Sequence, residues 1–197
     1  MPSDAGSSWR QVVSWLGVHA PGTAACLRPP VRRADLDFVS ALLNRPLPPD
    51  LVAWWRMSCG VTGHVGGRLI PPGYAPHDID GVVDTRESLL ETWMEGVPED
   101  DIAALLAQPA GTPVAGWLPV WLPVAGDGGG GELFVDLRSG PLNGCVMRWD
   151  KVETAEFDPL WPSVSAMLSD IADALERGVE IDGVRAVVVE DRTLDWH

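Results

Sequence analysis

The sequence predicts an α+β fold, a central antiparallel sheet flanked by helices and followed by a C-terminal β-hairpin. Three observations point to it. Several segments before residue 107 repeat apolar residues at helical spacing. After Gly116 the texture changes to short apolar runs separated by glycine-rich turns, as in antiparallel strands. A strongly periodic helix at 161–178 and an Asp-Gly turn at 182–183 then follow. Helices, then a meander, then a helix and a hairpin is an α+β order, not the alternation of a parallel α/β chain.

Taken in order, Ser8 is placed to cap a first helix carrying Trp9, Val12, Val13 and Leu16. "HAPGTAACLRPPVRR" reads as a loop because its prolines and glycine break either periodicity. Asp35 can cap a second helix through Phe38, Val39, Leu42 and Leu43. "LPPDLVAWWRMSCG" reads as a third, with Leu51, Trp54, Trp55 and Ser58 on one side and Gly60 as its left-handed stop.

From Val61 to Asp84 the expectation is loop with one extended piece, "VGGRLIPPGY". Asp84 and Glu87 form an Asp-x-x-Glu start for "TRESLLETWMEG", and Pro98 opens a segment holding Ile102, Leu105 and Leu106. "WLPVWLPV", "GELFVDL" and "GCVMRWD" read as three strands. Pro119 and Pro123 push the first towards an edge or a short length. "WPSVSAMLSDIADALERG" is the clearest helix, with Gly178 as its stop, and "VEIDGVRAVVVEDRTLDWH" reads as two strands joined near Asp182-Gly183.

The 197 residues suffice for one domain with a full core. A formal net charge of -14 argues against nucleic acid or an anionic membrane surface as direct ligand, since phosphate neutralisation needs clustered Lys and Arg. It suits a basic protein partner, whose approach the field accelerates. No secretory signal opens "MPSDAGSSWR" and no apolar run reaches the roughly 18 residues of a membrane helix, so a cytoplasmic protein is expected. Cys26, Cys59 and Cys145 are widely spaced, which points away from a disulfide framework or a zinc site.

The glycine run in "LPVAGDGGGGELFVDL" fails as a phosphate loop. Glu132 stands where a lysine is needed, and a strand follows where a helix must begin. The cluster His77, Asp78 and Asp80 is the one group a metal might use, and it reads more simply as a polar turn. "PEDD" at 98–101 sits where acids favour a helix start, and "ETAEFD" at 153–158 reads as an exposed loop. No nucleophile elbow or activated cysteine is present, so no catalytic residue, metal ligand or cofactor is assigned. Of the ten tryptophans, Trp121, Trp149 and Trp196 lie in or beside strands near acids. A tryptophan ringed by carboxylates would suit a protein interface, although a core position is the better expectation for each.

Four of these segments, in this order, resemble the SUKH superfamily. The leucine-proline-x-aspartate helix is "LPPDLVAWWRMSCG", and the tryptophan-hydrophobic-proline strand with its glycine-aspartate turn is "WLPVWLPVAGDGGGGELFVDL". The next strand supplies Gly144, Val146 and Trp149, and the closing helix is "WPSVSAMLSDIADALERG". The resemblance covers about 33–178 of a single domain spanning 1–197, leaving an N-terminal helix and loop at 1–32 and a hairpin or tail at 179–197. Ser40 occupies a position where relatives commonly carry glutamate.

The resemblance implies a non-catalytic protein-binding module. Bacterial relatives are mostly regarded as immunity proteins that neutralise polymorphic toxins, many of them nucleases or deaminases. A basic toxin domain is therefore the expected partner, at a face drawn from Trp121, Asp127, Glu132, Asp136, Trp149 and Asp150. The alternative is a regulatory or scaffold protein in a cell-wall or biosynthetic pathway, as in the fungal relatives. A nucleotide- or metal-dependent enzyme ranks last.

Overall fold

The computed structural model describes residues 4–155 and 157–197. Among them are seven α-helices, a four-stranded antiparallel sheet and a two-stranded C-terminal hairpin, the α+β arrangement expected. Helices α1 (Ala5–His19), α2 (Pro21–Cys26), α3 (Arg33–Leu43) and α4 (Pro49–Trp55) come first. Strand β1 (Ala75–Pro76) leads into α5 (Ile79–Met94) and α6 (Glu99–Leu106). The meander β2 (Trp121–Gly126), β3 (Gly131–Asp136) and β4 (Cys145–Asp150) follows, then α7 (Val164–Arg177) and the hairpin β5 (Ala186–Val188) and β6 (Leu194–Trp196).

Several helix starts lie earlier than the sequence suggested. Helix α1 begins at Asp4, whose carbonyl accepts from Ser7 and Ser8, so Ser8 is a buried position inside the helix and not its cap. Helix α2 occupies part of the supposed loop, because Pro21 at its first position pre-sets the helical φ instead of breaking the helix. In α3 the buried stripe is Leu36, Val39 and Leu43 while Phe38 is exposed, and Asp35 pairs with Arg32 inside the first turn. Helix α5 starts at Asp78, whose Oδ1 accepts from Gly81 N at 2.9 Å, well before Asp84. The stretch 65–74 holds a 3-10 turn and one isolated Ile70–Tyr74 bridge, and the extended residues are the two that follow it.

The α4 expectation holds on its face and fails at its stop. Leu51, Trp54, Trp55 and Ser58 are all buried, but the helix ends on Arg56 in ordinary helical geometry. Gly60, at φ +86°, instead lets the chain pass against α5, where an added Cβ would lie 2.5 Å from Asp78 N. Gly60→Ala is therefore expected to cost about 2–3 kcal/mol, from left-handed strain and overpacking against the helix cap. Chemical denaturation measures this, and a loss below roughly 0.5 kcal/mol would show the contact to be relieved without strain.

The sheet order is β1-β2-β3-β4, with every neighbour antiparallel. The segment 117–120 lies outside the strand, and β2 is not an edge: it pairs with both β1 and β3. Pro123 is accommodated because the β2–β3 register shifts between Pro123 and Ala125, and β1 reaches only Ala125 and Gly126. On one face Trp149 meets Trp93 of α5 edge-on, while Arg86 of α5 donates to Pro119 O at 2.7 Å. At the outer edge of β4 the backbone of Val146 bridges that of Trp161, just before α7, and α7 itself contacts β4. Helix α7 matches its expected form, with Ser163 Oγ accepting from Ala166 N and Gly178 in the left-handed stop.

Two side chains account locally for the family-like motif before α4. Asp50 Oδ2 accepts from Ser165 N at 2.8 Å, so one carboxylate fixes the start of α4 to the start of α7. Ser40 donates to Arg45 O at 2.8 Å and closes the turn after α3. At the C-terminus Asp182 and Gly183 both have positive φ, as the Asp-Gly signal predicts, yet they close only an Ile181–Val184 bridge. The hairpin proper turns later, at 189–193. Leu194 and Trp196 of β6 join the same buried cluster as Trp9 of α1 and the sheet.

Candidate functional site

The strand register divides the six residues singled out from sequence. Trp121 and Asp136 face each other at one end of the β2–β3 ladder, while Glu132 pairs with Trp149 and Gly131 with Asp150 at the other. Burial divides them again. Trp121 and Asp136 are 0% exposed and Trp149 3% exposed, so as folded they present almost nothing to a partner. Trp196 is buried too.

The reason is apolar packing on one face of the sheet. Trp117 stands edge-on to Trp121, Phe134 and Trp149 at centroid separations of 5.6, 5.3 and 5.9 Å, and Trp121 stacks on Phe134 at 4.3 Å. Trp149 Nε1 is satisfied by Gly116 O at 3.0 Å. Asp136 is neutralised within the fold by Arg138, 2.7 Å away and equally buried.

Asp127, Glu132 and Asp150 remain at the other end of the sheet, around the β2–β3 turn. Asp127 Oδ1 accepts from Gly129 N at 2.6 Å and Gly131 N at 2.8 Å, so the carboxylate organises the glycine run. Gly128 and Gly130 sit at φ +73° and +105°, conformations that favour glycine. Lys151 Nζ donates to Gly129 O at 2.9 Å across the turn. Asp150 Oδ1 accepts from Val152 N and Glu153 N at 2.7 and 2.8 Å. The Glu153 N–H in particular holds that carboxyl below its ordinary range.

Glu132 is set differently. Burial raises its carboxyl, and the hydrogen bond with His77 Nε2 at 2.7 Å opposes that rise. The pair opens onto a shallow recess of about 280 Å³ that also includes His64, Asp78 and Gly128. A histidine–carboxylate pair is half of a general-base arrangement, but no hydroxyl or thiol lines the recess among the described residues. The pairing spans 55 residues of sequence and was not foreseen. Only the β1–β2–β3 register, which sets His77 beside Val124 and Glu132 beside Gly126, brings the two together.

His77, Asp78 and Asp80 do not converge. His77 turns to Glu132, Asp78 caps α5 and pairs with Arg28 at 2.9 Å, and Asp80 is exposed in the first turn. No group of three His, Cys, Asp or Glu among the described residues is placed to hold a metal ion. Cys59 and Cys145 are buried free thiols pushed up to about 12, mainly by burial. Such thiols are poor nucleophiles. "PEDD" lies in the first turn of α6, as expected from dipole complementarity. The second acidic cluster is less exposed than expected, because Thr154 bridges Asp150 and Ala155 bridges Val114; its Glu156 lies outside the described residues. The opening residues 1–3 of "MPSDAGSSWR" also lie outside them. No helix among the described residues is long and apolar enough to cross a membrane.

The model of the SMI1 / KNR4 family (SUKH-1) matches residues 30–170, which run from the segment before α3 through the first half of α7. No curated protein matches the chain.

Proposed function

Because the chain belongs to the SMI1 / KNR4 family (SUKH-1), we propose that it is a non-catalytic protein-binding module, an immunity protein that neutralises a basic toxin domain in a bacterial cytoplasm. One observation carries the choice of partner. Asp127 and Asp150 are held at one end of the sheet by backbone N–H groups, on a chain of net charge -14. Carboxylates fixed this way are pre-organised, so less ordering entropy is lost when a cationic surface arrives. The buried tryptophans leave the interface, and Asp127, Glu132 and Asp150 remain in it.

Co-expression with the toxin encoded beside the gene tests this directly, with protection of growth as the expected result. Affinity for that toxin should fall at least several-fold between ~0.1 and ~1 M salt, as the Debye length shrinks from about 10 to about 3 Å. The double variant Asp127→Asn/Asp150→Asn, which keeps the acceptor oxygens, should weaken binding and flatten the salt dependence. Salt-independent binding overturns the electrostatic part. A cell-wall or biosynthetic operon with no protection replaces immunity by the regulatory alternative.

A further inference from the structure

A second acidic feature lies on the α7 side of the sheet, a cleft of about 480 Å³ between β4, α7 and the chain leaving α7. Its apolar surface includes Tyr74, Trp161 and Ile181. Asp170 and Asp173, three apart, share one face of α7, and Glu180 and Asp182 alternate along the segment beyond Gly178. Against these four carboxylates stands one guanidinium, that of Arg148, stacked over the Phe157 ring at 4.1 Å. Two of the acids meet arginines only at exposed pairs, Asp173 with Arg177 at 3.5 Å and Glu180 with Arg185 at 2.9 Å. Such pairs hold weakly and exchange readily for a better cation.

Arg148 adds an independent observation. Its Nε is buried and has no hydrogen-bond partner among the described residues. The side chain as a whole is half-buried and lines the cleft, so its outer N–H groups can meet an acceptor there. Arg148 is also two residues from Asp150 along β4, on the same face of the sheet.

We infer that this cleft seats an extended basic segment of the partner protein: lysine or arginine stems lie on Trp161 and Ile181, their cations reach Asp173, Glu180 and Asp182, and a backbone carbonyl accepts from the outer N–H groups of the Arg148 guanidinium. The inference rests on the protein-binding reading above and adds where a basic segment docks. A peptide supplies all three complements at once, whereas nucleic acid is repelled by the four acids. The volume lies within the range of ligand pockets, ~300–1,000 Å³.

The test is titration of the isotopically labelled full chain with a capped Lys/Arg-Leu hexapeptide, with a Glu-Leu hexapeptide as control. The basic peptide should move the Trp161 indole N–H and Arg148 Nε–H resonances, and the acidic one should not. Asp173→Asn/Glu180→Gln/Asp182→Asn should weaken peptide binding by roughly tenfold, since three rim carboxylates are removed. These are surface positions, and asparagine tolerates the positive φ of residue 182. Shifts that cluster outside the cleft, or equal binding of the two peptides, would overturn the proposal. So would toxin binding undiminished in the triple variant, which would leave the immunity reading intact. Peptide binding at the cleft without any toxin binding supports the site and removes the immunity reading alone.

Discussion

Asp136→Ala is expected to destabilise the fold by about 3–5 kcal/mol, because it strands a buried guanidinium. Arg138 is 0% exposed and gives Asp136 three contacts, from Nε at 3.2 and 3.1 Å and from Nη2 at 2.7 Å. Nη2 also donates to Thr112 O at 2.6 Å, and Nη1 has no acceptor among the described residues. A guanidinium does not shed its proton in a protein, so the variant must hydrate it by opening the structure. Arg138→Met should cost less. The stranded carboxylate would keep its N–H donors from Gly111 and residue 138, both at 2.9 Å, and could also take up a proton. Urea denaturation of both variants gives the order. Asp136→Ala within 1 kcal/mol of the parent would mean that the pair is not dry, and would return Asp136 to the interface.

How far the sequence revealed the molecule depended on whether the deciding contact was local. Helix α7 was legible because Ser163, the Val164–Leu175 stripe and Gly178 all lie within one segment. The β2–β3–β4 meander was legible because glycine turns separate its apolar runs. The start of helix α5 was less legible because two acids compete for it, and long-range contacts of Asp78, with the Gly60 passage and with Arg28, accompany the earlier one. The family itself was legible from motif order alone, and its residues match the model over most of the chain.

The candidate site was less legible, for a physical reason. Acids beside a strand tryptophan suggest a wet rim, yet alternate residues of a strand point to opposite faces. Trp149 therefore enters the α5-side core while Asp150, its neighbour, stays at the surface. Asp136 is expected at the partner face because nothing local shows that the chain after β3 folds Arg138 back upon it. The His77–Glu132 pair is set by register across three strands, and no linear pattern carries that information.

Trp117→Ala should be comparably damaging, at about 3–5 kcal/mol, because a large cavity would open at the centre of the aromatic cluster. Trp117 lies outside any strand and is fully buried, and it touches three other rings edge-on. Losing it removes those contacts and leaves Trp149 dependent on Trp93 and the Gly116 carbonyl. Trp117→Phe separates packing from polarity. The Trp117 Nε1 is buried with no hydrogen-bond partner among the described residues, so phenylalanine deletes an unsatisfied donor while keeping an aromatic ring. Its cost should stay below about 2 kcal/mol, the lost volume being partly offset by the lost desolvation penalty. Denaturation midpoints give both values, with near-ultraviolet circular dichroism reporting the loss of coupled indoles. Equal, large losses for both variants would show that Nε1 has a partner worth keeping, and small losses for both would show that the cluster is loosely packed. Either result would undo the argument that keeps Trp121 and Trp149 in the core, on which the purely acidic interface depends.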